Sequence, residues 1–182
     1  MPIAYTSFEP NVEVIGQNLL SFIQNVNAEH IEPVLRKYGL AVIEPEKWYP
    51  LQQWLDVLSD LAIQSGGMFD LVAIGAAISQ TALMPPEVEK MPFEQFLFLV
   101  NDVYQMQHRN GKAGEVKVEK IADQHMKIVV RVPYPDDLEY GTTYGFAHRF
   151  LPKGTKILVE YDPSLKRRDQ GGESTTIHVT WE

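Results

Sequence analysis

Residues 115–150 read EVKVEKIADQHMKIVVRVPYPDDLEYGTTYGFAHRF, and the hydrophobic period changes within them. Val116, Val118 and Ile121 alternate with charged residues. A polar turn follows at Ala122-Asp123-Gln124-His125, and Ile128, Val130 and Val132 alternate again. A period of two on both sides of a turn predicts a β-hairpin. Tyr134-Pro135-Asp136-Asp137 stops the second strand, since proline fixes φ and lacks a ladder N–H, and Asp136 or Asp137 can cap a helix. That helix is expected over about Leu138 to Leu151. Gly141 and Gly145 stand one turn apart on it and give a smooth face able to lie close to a sheet. Ile157, Val159 and Tyr161 alternate once more, as do Ile177, Val179 and Trp181. Residues 115–182 therefore read as a β-β-α-β-β unit with a four-stranded antiparallel sheet.

Upstream the period is helical. Val14, Ile15, Leu19, Phe22, Ile23 and Val26 are spaced for a first helix starting at Val12. Asn27 caps a second, Ala28 to Tyr38, which Gly39 ends and in which Pro33 should force a kink or a split. Pro50 suits the start of a third, carrying Trp54, Leu55, Leu58 and Leu61 and stopped by Gly66-Gly67. A fourth, from about Phe69 to Leu83, is apolar nearly all round, which predicts burial at the centre of the domain. A fifth runs from about Pro92 through Tyr104 to about His108, before the break at Asn110-Gly111-Lys112-Ala113-Gly114. The expected class is α+β: a helical part, about 12–109, packed on the four-stranded sheet of part 115–182, all in one domain, 1–182.

Bulk properties narrow the function. With 45% hydrophobic and 22% charged residues the chain is globular, not disordered. A net charge of −8 disfavours nucleic acid, whose phosphates call for concentrated Lys and Arg. The one basic cluster, Lys166-Arg167-Arg168, reads as a solvated, flexible loop tip beside Gly171-Gly172. There is no cysteine, so disulfides, thiolate catalysis and Cys-ligated metals are excluded, and a reducing cytoplasm fits. No signal-peptide pattern and no apolar run long enough to span a bilayer is present. Phosphate loops, the GxSxG elbow and GxGxxG are also absent, so the reading leans away from an enzyme.

The order of helices, hairpin, helix and second strand pair resembles the haem nitric-oxide/oxygen-binding (H-NOX) domains and the related four-vinyl-reductase-type domains, best over Pro92 to Glu182. The resemblance implies a ligand pocket between the helices and the sheet. In the haem family a helix ahead of the first hairpin carries the iron-ligating His, and a Tyr-x-Ser-x-Arg motif holds the propionates. Here Phe98-Leu99-Val100-Asn101-Asp102-Val103-Tyr104 matches that helix, with Tyr104 where the His would stand and His108 one turn on. Tyr134 matches the motif's first position, but Asp136 replaces the Ser and Leu138 the Arg. A carboxylate where a propionate should bind repels it, which disfavours haem in the family's manner. Tyrosinate can still bind ferric haem, so haem or another tetrapyrrole held through Tyr104 or His108 stays as an alternative.

The candidate ligand-binding residues follow from these segments. Tyr104 and His108 could orient one polar group in an apolar pocket, or be the polar end of a helix. Tyr134, Asp136 and Tyr140 form either a ligand rim or a strand-to-helix corner, and Tyr144 on the same helix joins the set. Arg149 could bind a ligand carboxylate, or pair with an acid of another segment at the negative end of its helix. Trp48, with Tyr49 and Trp54, is a pocket wall or a core anchor. No histidine pair has metal-ligand spacing, and His178 should face outward from its strand. The expected function is a stand-alone sensory domain binding a small hydrophobic or aromatic molecule, without haem. Its final strand ends one residue before the C-terminus, so its signal is expected to pass to a partner protein in trans, with a homodimer as one route. A ligand-free protein–protein adaptor is the remaining alternative.

Overall fold

Glu13–Ile15, expected as the first turn of a helix, form a strand instead. A computed structural model describes residues 4–64 and 70–182. In it β1 (Glu13–Ile15) lies between β2 (Trp48–Pro50) and β3 (His108–Arg109), antiparallel to both. The β-branched Val14 and Ile15 suit a strand as well as a helix, and pairing on two sides decides between them. His108 is likewise a strand residue and not the last turn of the fifth helix.

The helices are α1 (Gly16–Ile23), α2 (Ala28–Lys37), α3 (Leu51–Gln64), α4 (Leu71–Thr81), a short α5 (Pro86–Glu89), α6 (Phe93–Met106) and α7 (Asp136–Phe150). Asn27 caps α2 as its sequence predicts, accepting from the Glu29 N–H at 2.9 Å. Pro33 does not split α2, which runs unbroken through it. It sits on the solvent-exposed face, opposite the buried Ile31, Val34 and Leu35, so no buried carbonyl loses its partner. The Gly66-Gly67 stop and the Phe69 start fall outside the described residues. Asp70 caps α4 through the Ala73 N–H.

Helix α4 is not central. Ile74, Gly75 and Ser79 are buried, whereas Ala73, Gln80 and Thr81 are exposed. Its apolar surface is divided between a neighbouring helix and a cavity. The neighbour is α7, and the glycine face of α7 meets α4 rather than a sheet. A Cβ on Gly141 would run into the carbonyl oxygen of Val72, and one on Gly75 into that of Leu138. Ser79 sits in the same seam, donating to the carbonyls of Gly75 and Thr142. Small residues on both partners allow this approach.

The C-terminal unit forms as the alternation requires. Strands β4 (Glu115–Ala122), β5 (His125–Arg131), β6 (Ile157–Tyr161) and β7 (Thr175–Trp181) make an antiparallel sheet in the order β4-β5-β7-β6. Its inner face presents Val116, Met126, Ile128, Val130, Val159, Ile177 and Val179, all buried. Helices α6 and α7 cover that face. Phe96 stacks on Phe150 at 4.1 Å between ring centres, and Phe93 meets Trp181 edge-on at 5.3 Å, joining the two helices to the sheet. The class is α+β, as expected. No helix among the described residues is long and apolar enough to cross a membrane.

Residues 166–170 are not a free loop tip. Arg168–Gln170 form a 3-10 turn docked at the start of α7. Arg167 pairs with Asp137 at 3.2 Å and lies over the Tyr161 ring, while the Arg168 guanidinium donates to the Val132 carbonyl. The cluster reads as basic and solvated only until its acidic and carbonyl partners are placed.

Candidate functional site

Every third or fourth residue of α7 from Glu139, that is Thr142 and Phe146, points the same way, and that face looks into a cavity of about 350 Å³. Phe22 of α1, Trp54 of α3, Ile78 of α4 and Phe96 and Val100 of α6 also line it. The sheet reaches the cavity at Val116. The pocket thus lies one layer out from the expected helix–sheet junction, because α6 and α7 already cover the sheet. Leu83 and Met106, on the lining yet 93% and 72% exposed, mark the mouth.

Three ionisable residues stand on the lining: Tyr104, Tyr134 and Glu139, with no Lys, Arg or His among its described residues. The Tyr104 hydroxyl donates to the Ala113 carbonyl at 2.7 Å. His108 lies behind the two tyrosines. Its Nδ1 is 2.8 Å from the Tyr104 carbonyl oxygen, which can only accept, so Nδ1 carries the proton. Nε2 then accepts from the Tyr134 hydroxyl, also at 2.8 Å. Burial lowers the His108 pKa, partly offset by the Tyr104 carbonyl, and holds the ring in this neutral tautomer. Burial pushes both tyrosines upward, so both remain phenols.

Glu139 differs from these. Its carboxyl has no hydrogen-bond or ion-pair partner among the described residues, and the surface it retains lies on the cavity. Burial, helped by the nearby Asp136 charge, pushes its pKa up to about 7. The sequence reads Glu139 as one of several acids suited to a helix N-terminus. Its spacing with Thr142 and Phe146 is the signal that marks it as inward-facing.

The structure brings Tyr104 and Tyr134 of the candidate set to the cavity, and places the other six elsewhere. His108 is behind the wall. Asp136 is buried at the start of α7, accepting from Thr175 Oγ1 at 2.5 Å and from the Asp169 N–H at 2.9 Å. Tyr140 donates to the Val159 carbonyl, and Tyr144 is partly exposed against His148. Arg149 caps the end of α4 through the Ser79 and Ala82 carbonyls and pairs with Glu89 at 2.7 Å. Trp48 carries the Arg109 guanidinium on its ring, whereas its neighbour Trp54 lines the cavity. On the outer face of the sheet His178 does point outward, in a chain from His125 to Asp162. No group of three or more His, Cys, Asp or Glu among the described residues is placed to hold a metal.

No family model and no curated protein matches the chain. Solved structures do. An H-NOX protein from S. oneidensis in the Fe(II)NO ligation state is 13% identical, covering 92% of this chain and 99% of that one, with a TM-score of 0.68. An oxygen-binding H-NOX domain related to soluble guanylate cyclases, in its oxygen complex, is 13% identical over 92% of each chain, with a TM-score of 0.64. A Cs H-NOX mutant with an unnatural amino acid is 14% identical over 92% and 96%, with a TM-score of 0.68. The fold is that of the H-NOX domains. Within this H-NOX fold, Leu138 lines the cavity, and Asp136 is turned away into hydrogen bonds with Thr175 and Asp169.

Proposed function

We propose that this chain is a sensory domain that binds a small apolar or aromatic molecule in the cavity, and that it does so without haem. The fold supports a ligand-binding module. The observation that carries the rest is the wall itself: aromatic and aliphatic side chains, one carboxyl and no cation. Two propionates placed here would meet Glu139 and no Arg or Lys, and burying such charges unpaired is costly. Iron would find no free imidazole, since both nitrogens of His108 are already bonded, and the Tyr104 hydroxyl is held by Ala113. A bound molecule fills the space between α7 and the N-terminal helices, and a change in that spacing is the means of passing the signal to a second protein. Native mass spectrometry of freshly purified protein tests this reading. It is expected to show one small organic molecule per chain, retained from the cells or after addition of a neutral naphthalene, and lost when Val100→Trp fills the wall. A haem adduct at one per chain, or no small-molecule adduct under either condition, would overturn it.

A further inference from the structure

Glu139 narrows the class of ligand, and the narrowing rests on the proposed ligand site. An acid in an apolar cavity without a partner is costly, and the molecule has had every opportunity to satisfy it. Other polar groups on the lining are satisfied: the hydroxyls of Ser21, Tyr104, Tyr134 and Thr142 all donate to the protein itself. Asn18 and Gln107 are bonded to each other. Glu139 is thus the charge-bearing group left for a ligand to meet.

We propose that the ligand is an amphipathic amine: an apolar or aromatic body that fills the cavity and a basic nitrogen that the Glu139 carboxylate receives. The sign of the field favours a cation over an anion. Asp136 lies on the same helix, and the remaining ionisable lining groups, Tyr134 at the corner and Tyr104 on α6, are neutral phenols. Helices α1, α3 and α4 contribute no charged residue to the wall. Burial that raises the carboxyl toward neutrality is reversed by an ammonium at hydrogen-bond distance, so binding displaces the Glu139 proton into solvent. Amine affinity therefore rises with pH while Glu139 titrates, near pH 7, and levels off above it.

Calorimetry with three probes of one shape tests this: naphthylmethylamine, naphthylmethanol and naphthoate. At pH 8 the wild-type chain is expected to bind the amine at least about tenfold more tightly than the alcohol, with naphthoate weakest. At pH 5.5 the preference should shrink by about tenfold, since most of the carboxyl is then protonated. Glu139→Gln should remove the preference and its pH dependence, and a cooperative thermal unfolding transition shows that the variant folds. Equal binding of amine and alcohol by the wild type, or a preference that survives Glu139→Gln, overturns the inference and leaves the ligand site standing. Binding of none of the three overturns both.

Discussion

Asp136 and Glu139 lie one turn apart on α7, the first buried and the second half-buried, and their surroundings are opposite. Asp136 accepts from Thr175 and from the Asp169 N–H, while Asp169 in return accepts from the Asp136 N–H. Glu139 has no hydrogen-bond or ion-pair partner among the described residues and faces a cavity. One carboxyl is finished by the protein, and the other is left for something that enters. Evolution of a stable corner explains the first. It does not explain the second, because a half-buried carboxyl held neutral against an apolar wall lowers stability near and above its raised pKa, and such costs persist where a site has a use.

Breaking the finished side should have the largest effect. Asp136→Ala leaves the Thr175 hydroxyl and the Asp169 N–H without acceptors, and denaturant unfolding should show a loss of about 3 kcal/mol. Gly141→Ala disturbs the seam beside it, forcing a Cβ against the Val72 carbonyl; a loss of about 2 kcal/mol is expected by the same assay. On the open side the sign reverses. The Glu139 carboxyl keeps its proton up to about pH 7 in the folded state against 4.5 for the free group. The folded chain then holds more protons than the unfolded one across that window, so stability falls as pH rises through it. Glu139→Gln should remove this slope and raise stability at pH 8 by roughly 2 kcal/mol, with little change at pH 4, as followed by thermal unfolding at each pH. The smallest effect belongs to Tyr134→Phe, which takes one hydrogen bond from His108 and should cost about 1 kcal/mol.

The two regions were not equally legible in the sequence. The β-β-α-β-β order could be read from Val116 to Trp181 because alternation and proline-aspartate punctuation are local signals. The strands at Glu13–Ile15 and His108–Arg109 could not, since each is short and is held by partners far along the chain. Tyr104 and Tyr134 reach the cavity; the resemblance points to Tyr134 as a motif match and to Tyr104 as the residue standing where the family's His would be. Glu139 is hidden beside Asp136 and Asp137, acids that all suit a helix start; its spacing with Thr142 and Phe146 is the one sequence signal that separates it from them. Arg149 and Arg168 show the same limit from the other side. Both are cations whose role depends on which carbonyls lie within reach.

The proposed ligand site is an apolar cavity in an H-NOX fold that takes no haem. Titration of the purified chain with hemin, followed through the Soret band, tests this. The spectrum of unligated hemin is expected at every ratio. A shifted Soret band that saturates at one equivalent, and is lost in Tyr104→Phe or His108→Ala, would contradict it.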